Sequence, residues 1–166
     1  DGWRSTYDIA YPILQRFGYP ATLFVYTDLI TGSRLTLDWD LIREMSTRNI
    51  NVQCHTKTHR NLLRGKQPEL FYVYFRAIQQ ELEASVRTIE KKVQTDIQYL
   101  AYPYGDTNSL IVGLVEKMGY RGAFTVERGS NPFFVHPYRI QRSMIYGDAS
   151  MQAFQANLKT FHSLRQ

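Results

Sequence analysis

The 166-residue sequence predicts an α/β fold with a parallel sheet. Short apolar runs alternate with longer segments whose apolar residues recur every three or four positions, which is typical of repeated strand and helix units. The connections before the helices are long, and this favours a barrel with functional loops over a compact doubly wound sheet. No repeat, low-complexity stretch or linker divides the sequence, so residues 1–166 are expected to form one domain.

Apolar runs of four to seven residues account for the predicted strands. They are rich in β-branched or aromatic residues and are bounded by polar or turn-forming segments. The strands are predicted at residues 21–25, 50–54, 97–101 and 123–126, with a fifth near 139–145.

The clearest helix is predicted from about residue 68 to 93. Its apolar residues recur at helical spacing and form one stripe, which we interpret as core packing. The stripe consists of Phe71, Phe75, Ile78, Leu82, Val86, Ile89 and Val93.

Three shorter helices complete the predicted elements. One follows Thr36 and has acidic residues in its first turn, where they favour the helix dipole. Another covers residues 108–118 and ends at Gly119, a residue suited to helix termination. The last begins after Ser150 and has four apolar residues on one face, namely Met151, Phe154, Leu158 and Phe161.

Composition and charge narrow the classes of function. The net charge is +5, but the basic residues are spread along the chain, so a nucleic-acid partner is not expected. No stretch approaches about 18 uncharged apolar residues, so no transmembrane segment is expected in this chain. No signal peptide, with a basic region followed by an apolar one, is present in this chain, which says nothing about the parent protein.

Two histidines directly follow the second predicted strand. His55 and His59 are four residues apart, so on one helical turn they share a face and can bind the same ion. Imidazole nitrogen suits zinc, nickel, cobalt or iron. In an α/β barrel the carboxyl ends of the strands also carry the catalytic groups. Taken alone, such a pair equally fits surface or core histidines that bind no metal.

Three short segments carry chemistry-bearing residues in a recognisable order. They are Asp-Gly at 1–2, His-Thr-Lys-Thr-His at 55–59 and Ala-Tyr-Pro-Tyr-Gly at 101–105. They resemble the motifs Thr-Phe-Asp-Asp-Gly, His-Ser/Thr-x-x-His and Arg-x-Pro-Tyr-Gly of the family 4 carbohydrate esterases, the NodB-type polysaccharide deacetylases. The segments 19–25 and 37–39 agree as well, so the resemblance spans nearly the whole chain. It is closest to the poly-N-acetylglucosamine deacetylase branch, where the third motif also lacks arginine.

This resemblance implies a distorted (β/α) barrel and a hydrolase that removes N-acetyl groups from N-acetylglucosamine units of a polysaccharide. The polysaccharide is of the poly-N-acetylglucosamine, chitin or peptidoglycan type. Asp1, His55 and His59 are then the ligands of a divalent metal, with zinc expected and nickel, cobalt or iron as alternatives. The backbone N–H of Tyr104 is implied to bind the oxyanion.

The same resemblance places the catalytic base, an aspartate, one residue before Asp1. The family barrel also has a strand before its first motif. The first strand is therefore expected to be absent from this chain, and the domain to be incomplete at its N-terminus. The chain alone is expected to bind metal weakly and to be nearly inactive. An extracytoplasmic location (periplasmic, cell-surface or secreted) is implied for the protein.

Two positions depart from the family motifs. Ala101 stands where arginine is common, and we predict that Arg142 supplies the guanidinium instead; the alternative is a surface or structural arginine. The histidine that acts as general acid has no counterpart in residues 142–147. His136 is the candidate from the preceding loop, whereas His162 is expected at the surface, so the acid stays unassigned.

Several neighbours of the motifs have more than one interpretation. Trp3 and Tyr104 are predicted to stack on sugar rings, whereas Trp39 begins a helix and is predicted to pack in the core. Cys54 precedes His55 in a strand, so its side chain points to the opposite face and is predicted to be buried and inert.

Two other functions compete with deacetylation. One is a catalytically inactive relative that only binds glycan. The other is an unrelated metallohydrolase barrel, such as an amidohydrolase or phosphoesterase, which would show further histidine or aspartate ligands at later strand ends. This chain offers none that are well placed.

Overall fold

A parallel sheet forms the centre of the structure. The computed structural model describes residues 1–64 and 70–158. Within them, four strands lie side by side in chain order: β1 (Ala21–Val25), β2 (Ile50–Cys54), β3 (Tyr99–Ala101) and β4 (Gly122–Phe124). Every pairing is parallel. The predicted α/β class is confirmed, and the arrangement is that of part of a distorted barrel.

Helices lie before, between and after the strands. They are α1 (Tyr11–Phe17), α2 (Trp39–Ser46), α3 (Phe71–Val93), α4 (Ser109–Lys117) and α5 (Met151–Leu158). Side chains cap three of them: Asp38 accepts from Leu41 N at the start of α2, Asn108 accepts from Ile111 N at the start of α4, and Ser150 accepts from Ala153 N at the start of α5. The predicted start of α3 at residue 68 lies outside the described residues. No helix in the described part of the chain is long and apolar enough to cross a membrane.

Helix α3 supplies much of the core through the predicted stripe. Ile78, Leu82, Ile89 and Val93 are buried as expected. Phe71 is an exception, because it lies in the first turn of the helix, is 65% exposed and stacks on Phe75. Three residues of the apolar face predicted for α5, Met151, Phe154 and Leu158, are exposed, and the fourth, Phe161, lies outside the described residues.

The predicted fifth strand near residues 139–145 is wrong. Ile140 makes a single parallel bridge with Phe124, and no strand extends from it. The physical reason is that the pairing loses its register after this bridge. In a parallel ladder the Arg142 N–H would donate to Thr125 O, but it donates to the carbonyl of Glu127, and Thr125 O accepts from the Arg142 side chain.

A helical segment near the N-terminus was not predicted from the sequence. A π-helical turn, Thr6–Ala10, continues directly into α1. Tertiary contacts hold this segment, because the Tyr7 hydroxyl donates to Glu44 of α2 and Tyr11 is only 4% exposed.

The first residue lies alongside β1. The Asp1 nitrogen donates to Phe24 O at 2.7 Å, and Tyr26 N donates to Asp1 O at 3.3 Å. This alternation is that of a parallel pair. Because β2 occupies the other side of β1, Asp1 is held at the outer edge of the sheet, level with the carboxyl end of β1.

Candidate active site

Three potential ligands meet at the carboxyl ends of the strands. His55 follows β2 directly, His59 lies four residues further on, and Asp1 lies beside the end of β1. Their ligand atoms all lie within 4.8 Å of one another. His55 Nε2 is 3.1 Å from His59 Nε2 and 3.2 Å from Asp1 Oδ1, while His59 Nε2 is 3.9 Å from the same oxygen. The structure therefore brings together the three residues that the motifs single out.

Hydrogen bonds orient two of these ligands. His55 Nδ1 lies 2.6 Å from the carbonyl oxygen of Ala101, which can only accept, so Nδ1 carries the proton and Nε2 presents a lone pair. The Trp3 indole N–H donates to Asp1 Oδ2 at 3.3 Å. The other carboxylate oxygen, Oδ1, is thereby left facing the two histidines.

Both imidazoles favour the neutral form that binds metals. Burial lowers the pKa of His55 to about 4. Burial, together with the neighbouring His55, also lowers the pKa of His59 to about 4. A neutral imidazole nitrogen is the form that coordinates a cation.

The donor set and its spacing fit one divalent ion. Zinc holds imidazole nitrogen at about 2.0–2.1 Å, so two nitrogens on one tetrahedral ion stand about 3.3 Å apart. The 3.1 Å between the two Nε2 atoms is close to that value. Two histidines and one carboxylate also leave positions free for water and substrate, as in catalytic zinc sites.

The segment that carries the histidines has an unusual backbone. Thr56 and His59 have φ values of 71° and 60°, in the left-handed region. That conformation costs non-glycine residues about 1–2 kcal/mol each. The Thr56 hydroxyl accepts from the His59 N–H at 3.1 Å, which offsets part of the cost within the segment.

A cavity of about 430 Å³ opens beside the three ligands. Its lining consists of Asp1, Thr22, Leu23, Phe24, His55, His59, Ala101, Tyr102, Tyr104, Val126, Arg142 and Met144. Tyr104 is 60% exposed and its ring meets that of His59 edge-on at 4.8 Å, while Trp3 is 46% exposed. Aromatic surface therefore lies at the site and remains open to a ligand.

Tyr104 is held in place by an unusual turn. Tyr104 and Gly105 have φ values of 61° and 75°. A Cβ on Gly105 would overlap the side chain of Val126 and lie 2.6 Å from its backbone nitrogen. Only glycine fits there, so this residue is required for the close approach of the turn to the segment after β4.

Arg142 extends into the cavity from the segment that follows Ile140. Its Nε donates to Thr125 O at 3.0 Å, and its guanidinium lies over the rings of Phe24 and Phe124 at 5.5 and 5.7 Å. Burial lowers the pKa of Arg142 from its ordinary value. Arg142 and Asp1 line the same cavity. The predicted role of Arg142 as the replacement guanidinium stays a prediction.

The profile of the polysaccharide deacetylase family matches residues 1–123 of this chain. The chain belongs to the polysaccharide deacetylase family.

Curated relatives agree with this assignment. YxkH of Bacillus subtilis is 27% identical over 160 residues, which cover 96% of this chain and 54% of YxkH. The poly-beta-1,6-N-acetyl-D-glucosamine N-deacetylase of Staphylococcus aureus (strain MRSA252) is 26% identical over 151 residues, or 87% of this chain and 52% of that protein. The chain therefore spans about half the length of these curated relatives.

Solved structures share the fold of this polysaccharide deacetylase family member. The deacetylase PplD of Streptococcus pyogenes has a TM-score of 0.83 at 22% identity, covering 96% of this chain and 67% of PplD. IcaB of Ammonifex degensii has a TM-score of 0.80 at 21% identity, covering 95% of this chain and 69% of IcaB. The predicted barrel type is confirmed by these likenesses.

The other described residues considered from the sequence lie away from this cavity. His136 is exposed, accepts from the Tyr138 N–H and is not among the lining residues. His162 lies outside the described residues. Cys54 is fully buried and its thiol donates to Ser85 on α3, on the side away from the ligands. Trp39 packs against the core, as predicted.

Sequence reasoning missed two residues near the histidines. The Tyr26 ring lies 5.1 Å from that of His59, and the position of Tyr26 directly after β1 was the available signal. Glu81 of α3 binds the segment between the two histidines. No local pattern marks it, because it lies on the edge of an ordinary amphipathic helix.

Proposed function

We propose that this chain carries the metal site of a polysaccharide N-deacetylase, which hydrolyses the N-acetyl groups of N-acetylglucosamine units. The observation that carries the proposal is the Asp1, His55 and His59 cluster beside an open cavity in a member of the polysaccharide deacetylase family. Zinc is the proposed metal, with nickel, cobalt and iron as the alternatives.

The residues of the site have separate tasks in this reaction. A divalent metal held by Asp1, His55 and His59 would supply Lewis acidity, which raises the acidity of water and polarises a carbonyl oxygen. The Ala101 carbonyl and the Trp3 indole keep the ligands in their binding orientation. The backbone N–H of Tyr104 is proposed to donate to the oxyanion, where one such donor is worth about 2.7–4 kcal/mol.

Sugar binding is assigned to the exposed aromatic residues. Trp3 and Tyr104 present open ring surface beside the ligands. Such rings stack on the apolar faces of sugars. This arrangement supports a polysaccharide substrate whose acetamido group enters the cavity.

The proton-transfer groups are less completely assigned. The base, placed by the resemblance one position before Asp1, stays a prediction. Arg142 is proposed to orient that carboxylate, and its place in the lining of the same cavity as Asp1 supports this role. The acid that protonates the leaving amine has no candidate among the residues lining the cavity other than those already given a task.

The relatives support a proposal for the substrate class and the location. The Staphylococcus aureus relative is named for poly-beta-1,6-N-acetyl-D-glucosamine, and we propose the same class of polysaccharide here, with chitin and peptidoglycan as alternatives. Polysaccharides of these kinds lie outside the cytoplasm, so we place the protein at the periplasm, at the cell surface or in secreted form.

A catalytically inactive glycan-binding protein is the alternative function. The observation that favours it is that, among the described residues, His55 and His59 are the only histidines that line the cavity, so no further histidine is placed there to protonate a leaving amine. An inactive relative would keep the aromatic residues and bind glycan without releasing acetate.

Metal analysis followed by an acetate-release assay separates these functions. The full-length gene product is loaded with zinc, cobalt or nickel and incubated with chito-oligosaccharides or poly-β-1,6-N-acetylglucosamine. The proposal expects about one metal per chain and acetate release that the His59→Ala variant loses. Bound glycan without acetate release would establish the alternative, and a protein that binds neither metal nor glycan would contradict both.

A further inference from the structure

The segment from His55 to His59 has an intrinsically unfavourable backbone conformation. Thr56 and His59 both lie in the left-handed region, which residues with a Cβ rarely adopt. Yet this backbone path is what brings the two Nε2 atoms to 3.1 Å. Contacts from elsewhere in the fold must therefore stabilise it.

Glu81 of α3 makes the densest set of these contacts. Its Oε2 accepts from the backbone N–H of Lys57 at 3.2 Å and of Thr58 at 2.8 Å, and its Oε1 accepts from the Thr58 hydroxyl at 2.8 Å. All three donors lie between the two histidines. Glu81 is only 8% exposed, so these bonds are shielded from competing water.

The carboxylate of Glu81 is stabilised by these N–H and O–H donors and not by a cation. The nearby cation of Lys57 is paired with Asp28 instead, at 2.7 Å. Hydrogen bonds to an ionised acceptor are stronger than neutral ones. Glu81 therefore binds the backbone of the segment itself and is not simply one half of a surface ion pair.

Ser85 and Asp28 also hydrogen-bond to the backbone of the histidine segment. Ser85 lies one turn after Glu81 on α3, is fully buried, and donates to Thr56 O at 2.9 Å. From the opposite side, Asp28 N donates to Lys57 O at 2.9 Å. The segment is thus fixed between α3 and the turn that follows β1.

We propose that Glu81 is a positioning residue that fixes the histidine segment and thereby sets the affinity of the site for its metal. This inference rests on the proposed metal site. Outer groups that orient ligands typically change metal affinity 10–100-fold when they are removed.

The test compares Glu81→Gln with Glu83→Gln in the full-length gene product. The first substitution keeps the size of the side chain but removes its charge and replaces one of its two acceptor oxygens with an amide donor, so the three bonds are weakened. Glu83 lies on the same helix, and within the described residues its side chain bonds to Gln79 and Arg87 of that helix, so its variant is the matched control. We expect E81Q to lose about 10–100-fold in zinc affinity, measured by chelator competition, and E83Q to stay within about twofold.

Two measurements on metal-free protein separate positioning from general stability. In E81Q, amide exchange at Lys57 and Thr58 should accelerate and the imidazole NMR signals of His55 and His59 should shift, whereas E83Q should change neither. Unchanged zinc affinity, amide exchange and imidazole signals in folded E81Q would overturn the inference.

Two further outcomes remain decisive. If E81Q does not fold, Thr58→Val removes the hydroxyl bond from the other partner, and wild-type zinc affinity in that variant would overturn the inference. If the wild-type protein binds none of zinc, nickel, cobalt and iron, the proposed function fails, while the exchange and imidazole measurements still decide whether Glu81 positions the histidines.

Discussion

His55 donates its Nδ1 proton to the carbonyl oxygen of Ala101 across 2.6 Å. This bond joins the ends of β2 and β3 and selects which imidazole nitrogen faces Asp1 and His59. A ring flip or the other tautomer would leave the buried Ala101 oxygen without this donor, and that loss costs about 1–3 kcal/mol.

The first prediction concerns the tautomer of His55. In metal-free protein at pH 7, long-range ¹H–¹⁵N spectra should show His55 neutral, with the proton on Nδ1 and Nε2 unprotonated. Its lowered pKa keeps the ring neutral down to about pH 4. A proton on Nε2 at neutral pH would contradict the orientation on which the proposed ligand set depends.

The second prediction concerns Gly105. Gly105→Ala should destabilise the protein by about 2–4 kcal/mol, because the new methyl group needs a left-handed backbone and overlaps Val126. Gly18→Ala is the matched control: it has a similar φ of 67° and open space around the position, so it should cost only about 1–2 kcal/mol. Urea denaturation measures both values, and equal losses would show that contact with Val126 is unimportant.

The third prediction concerns the thiol of Cys54. Burial raises the pKa of this thiol, and Cys54 has no exposed surface. A thiol reagent at pH 8 should therefore label the native protein only as fast as the protein unfolds, and labelling should be immediate in denaturant. Rapid labelling in buffer would place the side chain on the accessible face instead.

The fourth prediction concerns Arg142. Arg142→Met keeps an apolar stem beside Phe24 and Phe124 but removes the guanidinium. In the full-length gene product we expect turnover to fall at least about 10-fold with an altered pH–rate profile, consistent with loss of a group that orients a catalytic base. Zinc affinity should stay within about threefold, because Arg142 bonds none of the three ligands.

Arg139→Met serves as the control for this change. Arg139 precedes the bridge at Ile140 and is exposed. Its replacement should therefore leave turnover, the pH–rate profile and zinc affinity unchanged. If R142M and R139M both keep wild-type turnover and pH dependence, Arg142 is a structural residue.

The sequence by itself determined the class of the fold, most strand positions and the residues of the candidate metal site. The strands at 21–25 and 50–54 have the predicted bounds, and α3 follows its apolar periodicity from Ile78 to Val93. These features are local, since period and motif spacing report burial and chemistry within a few residues. His55 and His59 are grouped by spacing for the same reason.

Only the tertiary structure decided what holds the site together. The bonds from Glu81 to the histidine segment span 23 and 24 residues, and the bond from Arg142 to Thr125 spans 17. The predicted fifth strand was wrong because the Arg142 N–H donates to Glu127 O and not to Thr125 O, where a parallel ladder would place it. Such pairings depend on which elements become neighbours, and a periodic pattern within one element carries no information about that choice.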